Sequence, residues 1–409
     1  MLTATSKTLV YAAILFLPLP FLRLVSNFTV SDALITLAFL TILISGRRKE
    51  FFHATVLWKN EFLFPLAIFS TGVLLSLEGS ADPIESITAF MQIIFIFMVA
   101  YPVLSEVIQN EDQIKRIAVL LIIPSTLLAM LMVLLKVVGI NIGIDLLAYE
   151  GWRGRMTYGG MEPNIPGRII LQNIPLLVAF AIISKSVKVK SISMFLIMLQ
   201  LFAVIFTSSR SNFVTFLMAL FLFLIFYFQA GRRIKLRYIL APLLLGGLIA
   251  FLFYLTNEEF FLKPFERYST ILDVQRSASS MERIRMIDKG FTYLDGNPLT
   301  GLGLGNSYLY TGVAIHNPLI ISWVENGLLG IIGFAGLYIT LIYYVVKAYR
   351  LKFFSDVFLI ALAIIAVMMV FGDMFMANSY KRVLWMPALL VIIQLKLMIR
   401  QKQSLTGAI

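Results

Sequence analysis

The sequence contains no cysteine and only two histidines, and charged residues make up just 14% of its 409 positions. Without cysteine, disulfides, thiolate metal sites and cysteine nucleophiles are all excluded. With 59% hydrophobic residues, the chain is also too apolar for an ordinary soluble domain. Its net charge of +12 is dispersed through connectors instead of forming a basic tract, which favours anionic lipid over nucleic acid as a partner. We therefore expect the chain to lie in a membrane.

Apolar runs recur along the whole sequence, and a helix that crosses a bilayer needs roughly 20 mostly apolar residues. The first run follows Lys7 and has no small-residue cleavage site, so we interpret it as a retained helix. The pattern predicts an all-α polytopic membrane protein of about twelve transmembrane helices, forming a single integral membrane domain over residues 1–409. The runs lie at 9–25, 28–45, 62–78, 86–104, 117–138, 165–183, 191–207, 213–230, 238–255, 326–346, 353–371 and 381–398.

Every second connector between these runs is rich in lysine and arginine. Because cationic loops are retained on the cytoplasmic side, the alternation predicts cytoplasmic termini and places the remaining connectors outside. The outer connectors include an acidic one around Asp82, the stretch 139–164, the short Ser208–Asn212 and a long loop at about 256–316. No internal repeat indicates an inverted-repeat transporter.

The long outer loop contains a predicted surface helix. Ser279 and Glu282 have the spacing of a capping box, and apolar residues then follow at amphipathic intervals. The turn residues from Asp295 to Pro298 cannot continue a helix. Arg285 and Lys289 on this helix fit either a solvated face or contacts with lipid headgroups.

Two further motifs lie within this loop. Gly301, Gly303 and Gly305 lack the preceding strand and the spacing of a dinucleotide-binding loop, so they favour a tight backbone that approaches a ligand or another helix closely. His316 is the one histidine predicted to lie outside, since His53 falls in a cytoplasmic connector. An imidazole, with an unperturbed pKa of about 6.5, suits proton transfer at neutral pH.

Several arginines lie where the topology disfavours them. Arg210 falls in the short Ser208–Asn212 connector, close to the membrane interface, where a charge is costly unless it is paired or used. Snorkelling or salt bridges with nearby glutamates would explain these cations. A diphosphate site would explain them too, because arginine offers bidentate donors to phosphate. The other cations predicted on this side are Arg153, Arg155, Arg168, Lys381 and Arg382.

Taken in order, these motifs resemble the O-antigen ligase and polymerase superfamily. The resemblance rests on Ser209-Arg210-Ser211, Arg283, the Asn297–Gly305 segment, and His316-Asn317 followed by Gly327-Leu-Leu-Gly330. It covers about residues 150–345, and the first four helices are matched by hydropathy alone. Position 287, four residues after Arg283, is aromatic in many relatives and is isoleucine here.

The resemblance implies a C-type glycosyltransferase-like fold and an inverting, metal-independent glycosyltransferase without a cofactor. Its donor would be an undecaprenyl-diphosphate-linked oligosaccharide on the periplasmic face of the bacterial inner membrane. Arg210 and Arg283 would hold the diphosphate, and His316 would activate the acceptor hydroxyl. The residues expected to bind substrate around these three are Arg153, Arg155, Asn164, Arg285, Asn317, Glu325 and Arg382.

Several functions remain open at this point. One is a polymerase that joins O-antigen or exopolysaccharide repeat units, and another is a ligase that transfers the chain to the lipid A-core of lipopolysaccharide. A transporter or flippase for lipid-linked sugar belongs to a different class, but it predicts charges inside the helices, whereas here they cluster at helix ends and in outer loops. The fourth possible function is that of a non-catalytic scaffold. The expected partners are the carrier-linked donor, a sugar or lipid A-core acceptor, membrane lipids and a chain-length regulator.

Overall fold

The computed structural model describes most of the chain. Arg153 and Arg155, both predicted to bind substrate, lie outside the described residues, as does most of the predicted helix at 238–255. The described residues are 2–19, 22–25, 28–45, 60–138, 162, 164–231, 247, 254–255, 262, 266–269, 271, 278–312, 315–376 and 381–406.

The described residues are overwhelmingly helical, and the predicted all-α polytopic membrane protein is confirmed. Within the described residues, seven helices are long and apolar enough to cross a membrane, and four shorter apolar helices accompany them. These coincide with eleven of the twelve predicted runs, the exception being 238–255. The seven are Pro83–Val107, Glu111–Leu135, Asn164–Ile183, Val187–Phe206, Arg210–Gln229, Pro318–Arg350 and Arg382–Ser404. The four shorter ones are Ala4–Phe16, Val30–Ile44, Leu63–Ser76 and Val357–Asp373.

The first apolar run differs from its prediction because it is not one helix. Helix α1 (Leu2–Phe16) ends just before Pro18, whose ring fixes φ and removes a backbone donor. A short antiparallel pair then forms between β1 (Arg23–Val25) and β2 (Phe28–Thr29). The predicted helix over 9–25 is therefore wrong in its second half.

The chain folds into two compact units. Unit one comprises Met1–Ile117, Ala278–Ala348 and Met369–Ile409, and unit two comprises Ala118–Ser277 and Tyr349–Met368. The prediction of one integral membrane domain over residues 1–409 stays a prediction.

Unit one contains most of the helices that follow α1. The helix Pro83–Ile94 continues through a π-helical turn at Phe95–Ala100 into the helix Tyr101–Val107. The helices after α1 are α2 (Val30–Ile44), α3 (Leu63–Ser76), α4 (Pro83–Ile94), α5 (Tyr101–Val107), the start of α6 (Glu111–Val138), α11 (Ala278–Leu294), α12 (Ser307–Thr311), most of α13 (Pro318–Arg350), the end of α14 (Val357–Asp373) and α15 (Arg382–Thr406).

The core of unit one combines aromatic stacking with close glycine contacts. The fully buried Trp385 stacks on Tyr338, with ring centroids 5.5 Å apart, and meets Phe97 edge-on at 4.9 Å. A Cβ added at Gly72 of α3 would lie 2.5 Å from the backbone nitrogen of Gly330 in α13. Small residues at such a crossing let membrane helices pack backbone against backbone.

Unit two contains the rest of α6 and α14, together with α7 (Asn164–Leu171), α8 (Ile174–Ile183), α9 (Val187–Phe206) and α10 (Arg210–Gln229). The buried Gln200 donates from Nε2 to Thr126 Oγ1 at 3.1 Å, which ties α9 to α6. The almost fully buried Arg168 donates from Nη1 to the carbonyl of Met368 at 3.0 Å. Arg168 thus lies inside this unit and contributes to its packing.

Candidate functional site

His316 lies directly before a helix that its neighbour caps. The side-chain oxygen of Asn317 accepts hydrogen bonds from the backbone N–H groups of Leu319 at 3.0 Å and Ile320 at 3.1 Å. Pro318 is the first residue of α13, where its missing N–H costs nothing. The cap fixes the backbone beside the half-buried His316. The side-chain oxygen of Asn317 therefore already accepts two hydrogen bonds from the helix backbone. Substrate binding by Asn317 stays a prediction.

Helix α13 is broken at Gly327, which has φ 64° and ψ −162°. The part after the break, up to Arg350, is 23 residues long, or about 34 Å at 1.5 Å per residue. That is enough to cross a hydrocarbon core of about 30 Å. The segment Pro318–Asn326 is therefore not needed for the crossing, in agreement with the predicted run at 326–346.

The glycine-rich segment crosses α13 at this break through backbone hydrogen bonds. Leu302 N–H donates to the carbonyl of Val324 at 3.0 Å, and Gly303 N–H donates to that of Glu325 at 2.8 Å. Gly303 has φ 93°, and a Cβ there would lie 2.5 Å from the side chain of Ser80. Only glycine accommodates both the left-handed backbone and this approach. The predicted tight backbone close to another element is confirmed.

The side chain of Glu325 holds the same segment from within the protein. Its Oε2 accepts from the N–H of Gly305 at 2.8 Å, and its Oε1 accepts from Ser307 Oγ at 2.6 Å and from Ser307 N–H at 3.2 Å. The residue is only 3% exposed. Both carboxylate oxygens are thus engaged by the chain itself, and the predicted substrate contact of Glu325 stays a prediction.

Asn306 joins the glycine-rich segment to the acidic connector, and sequence reasoning did not single it out. Its Oδ1 accepts from the N–H of Asp82 at 2.7 Å, and its Nδ2 donates to Ser86 Oγ at 2.8 Å. The residue is fully buried. Its place at the end of the glycine-rich motif was the feature of the sequence that could have indicated this role. Its hydrogen-bond partners, however, lie more than 200 residues away in sequence.

Arg283 and His316 lie close along the chain to members of one apolar cluster, formed by Met286, Leu302, Ile315 and Val324. Arg283 is half-buried on α11, on the same face as the buried Met286 and Gly290, three and seven residues later. A Cβ at Gly290 would lie 2.8 Å from Ile315 Cδ1, and Ile315 immediately precedes His316. Two of the three predicted catalytic residues therefore have chain neighbours in the same packed cluster of unit one.

Helix α11 ends at Leu294, before the predicted turn residues, and it begins by Ala278, so Ser279 lies within the helix and not at the predicted cap. Arg285 points away from the cluster, with its side chain 70% exposed and 4.0 Å from Glu282. Lys289 is also exposed. Of the two candidate arginines on this helix, Arg283 is the one on the inward face.

Arg210 begins α10 in unit two, where a set of polar side chains fixes the chain. Ser209 caps the helix by accepting from Asn212 N–H at 3.3 Å, and it donates to Asn164 Oδ1 at 2.7 Å. Asn212 in turn donates to the carbonyl of Asn164 at 2.9 Å. The buried Asn164 also bonds to Glu162. Asn164 thus supports the half-buried Arg210, and convergence of Arg210 with His316 stays a prediction.

Arg382, the last predicted substrate-binding residue, is engaged in an ion pair. Its Nε lies 2.8 Å from Oδ1 of Asp32, and the two side chains are 14% and 2% exposed. The other oxygen of Asp32 accepts from the N–H of Thr29 at 2.7 Å. The sequence offered salt bridges with glutamates for the outer cations, but Arg382 instead pairs with an aspartate at the start of α2.

Residues 194–335 match a family model described as O-antigen ligase. The resemblance to the O-antigen ligase and polymerase superfamily is confirmed. The matched residues include Arg210, Arg283 and His316, whereas Asn164 and Arg382 lie outside them. No curated protein matched the chain. The match supports a membrane enzyme of O-antigen or related polysaccharide assembly.

Proposed function

We propose that this protein is an inverting, metal-independent glycosyltransferase that polymerises undecaprenyl-diphosphate-linked repeat units on the periplasmic face of the inner membrane. The observation that carries the proposal is that Ile315, which precedes His316, and Met286, one turn after Arg283, belong to the same buried cluster with Leu302 and Val324. Both Arg283 and His316 lie within the segment that matches O-antigen ligases.

In the proposed reaction, the terminal hydroxyl of one chain attacks the anomeric carbon of a carrier-linked sugar. The new carbon–oxygen bond forms on the face opposite the breaking bond to diphosphate, so the configuration inverts. His316 takes the hydroxyl proton, and undecaprenyl diphosphate leaves with the bonding electron pair. A diphosphate is a good leaving group, so the protein needs to supply mainly charge stabilisation and a base.

Arg210 and Arg283 bind the diphosphate oxygens in this proposal. Guanidinium groups form paired, charge-assisted hydrogen bonds with phosphate. The caps around Arg210, made by Ser209 and Asn164, support the proposal because they hold the backbone of this arginine in one position. The position of Arg283 on the inward face of α11 supports the proposal in a similar way, because the packing of that face restrains this arginine.

A ligase that transfers the finished chain to lipid A-core is the alternative, because the same residues would serve either acceptor. The family match is described by this activity, which is the observation that favours it. A transporter of lipid-linked sugar would form no glycosidic bond at all.

The test is an in vitro assay with the purified protein in lipid and a defined carrier-linked repeat unit. The polymerase predicts longer carrier-linked chains without lipid A-core. The ligase predicts products only when lipid A-core is added. Movement of carrier-linked sugar across liposomes with no glycosidic product would refute both and leave the transporter.

A further inference from the structure

We infer that Glu325 is a positioning residue, whose carboxylate fixes His316 relative to Arg283 by fastening the glycine-rich segment to the break in α13. The inference rests on the proposed function for its catalytic consequence. Its structural part concerns unit one alone and is measurable without any activity.

The first step is the set of donors around the carboxylate. The N–H of Gly305, the N–H of Ser307 and the hydroxyl of Ser307 all point at Glu325. A carboxylate accepts all of these hydrogen bonds at once because it has no hydrogen to turn toward them. An amide in the same place would turn its NH2 group toward either Gly305 or Ser307, leaving a buried backbone donor unpaired.

The second step is the path from this carboxylate to the predicted catalytic residues. Val324, next to Glu325, belongs to the apolar cluster together with Ile315, next to His316, and Met286, one turn after Arg283. Leu302 of the same cluster is bound to Val324 through its backbone N–H. The anchor on Glu325 therefore restrains the segment whose Leu302 side chain belongs to the same cluster as Ile315 and Met286.

The third step is burial, which decides between positioning and direct substrate contact. Glu325 is 3% exposed, and its oxygens already accept from the glycine-rich segment at 2.6 to 3.2 Å. A group that bound sugar would have to exchange these hydrogen bonds for those of the substrate. The geometry instead assigns the carboxylate to the protein's own backbone.

The structural experiment uses the absence of native cysteine. Spin labels on Ile284→Cys in α11 and Leu309→Cys in α12, both exposed positions, report the distance between these helices by double electron–electron resonance. We expect a narrow distribution in the otherwise unaltered protein and a broader one in Glu325→Gln. Glu78→Gln, which removes an exposed carboxylate from the acidic connector, is the matched control and keeps the narrow distribution.

The catalytic experiment compares kcat with the KM for the carrier-linked donor. Misplacement by about 1 Å costs on the order of 10²-fold in rate, so Glu325→Gln is expected to lower kcat about 10²-fold and leave the KM nearly unchanged. Ser307→Ala, which keeps the carboxylate and one backbone donor to Oε1, is expected to show a smaller loss. Because the two residues act together, adding Ser307→Ala to Glu325→Gln should cause little further loss.

Several results would overturn the inference. An unchanged distance distribution in Glu325→Gln would do so, as would a raised donor KM at unchanged kcat, which indicates substrate binding. If Glu325→Gln does not fold, Ser307→Ala decides, and a distribution identical to that of the parent protein contradicts the inference. If the parent protein forms no glycosidic bond, the proposed function fails, while the label distances still decide the role of Glu325.

Discussion

The guanidinium Nε of Arg382 lies 2.8 Å from Oδ1 of Asp32, so the first residue of α15 is bound to the first turn of α2. Because Asp32 is almost fully buried and also accepts from the Thr29 hydroxyl at 2.8 Å, its charge is compensated on both oxygens. This ion pair gives Arg382 a structural role, whereas the sequence analysis assigned it to substrate binding.

Removing one partner of this pair should destabilise the protein. Asp32→Ala leaves the guanidinium without its carboxylate, and we expect the free energy of unfolding to fall by about 3 kcal/mol. The double variant Asp32→Ala with Arg382→Met should recover much of the loss. Thermal unfolding in lipid nanodiscs measures both. A double variant no more stable than the single one would show that the ion pair is not what stabilises the contact between α2 and α15.

His316→Ala is expected to abolish transfer, because a general base contributes on the order of 10² to 10⁴ in rate. The control is His53→Ala, which removes the only other histidine of the chain and should transfer normally. Initial rates of glycosidic bond formation with the purified protein give the comparison. Near-normal rates in His316→Ala would remove the proposed base.

The arginines of α11 offer a matched pair two residues apart. Arg283→Ala should weaken donor use strongly, with a loss of about 10²-fold or more in kcat/KM, because its side chain lies on the inward face. Arg285→Ala and Lys289→Ala should be mild, since both side chains are exposed. The kcat/KM for the carrier-linked donor is the quantity to measure. Equal losses in Arg283→Ala and Arg285→Ala would contradict the register of this helix.

Asn164 is expected to act through Ser209. Asn164→Ala removes the acceptor of the 2.7 Å hydrogen bond from Ser209, and we expect a higher KM for the donor as Arg210 loses its support. Asn164→Asp keeps an acceptor oxygen at that position and should transfer better than the alanine variant. If both substitutions behave alike, the hydrogen bond to Ser209 does not support the site.

Gly327 should not tolerate a side chain. Its φ of 64° is left-handed, and a Cβ would lie 2.7 Å from the backbone nitrogen of Thr300. We expect Gly327→Ala to lower the free energy of unfolding by at least about 1 kcal/mol from backbone strain alone. At Gly296 a Cβ would meet only the carbonyl of Tyr293, at 4.0 Å, so Gly296→Ala is the tolerated control. Comparable unfolding temperatures would contradict the break in α13.

The sequence predicted the helices well because lipid imposes a simple requirement on length and polarity. It failed at the start of the chain, where hydropathy continued through Pro18 while the helix ended at Phe16. It also predicted the end of α11, since the turn residues after Leu294 act locally.

The partners of the polar residues could not be predicted in the same way. Asp32 pairs with Arg382, and Asn306 with Asp82, across hundreds of residues of sequence. Periodicity carries no information on such pairs, because they depend on how the helices pack. For the same reason the sequence assigned Glu325 and Arg382 to substrate on charge and location, without indicating that the protein's own chain already engages both.

The most direct test is an experimental structure of the protein with undecaprenyl diphosphate bound, determined by cryo-electron microscopy in a lipid nanodisc. The account predicts guanidinium nitrogens of both Arg210 and Arg283 within about 3 Å of diphosphate oxygens, with the imidazole of His316 facing the same pocket. A diphosphate held elsewhere, or an imidazole turned toward lipid and away from both arginines, would contradict it.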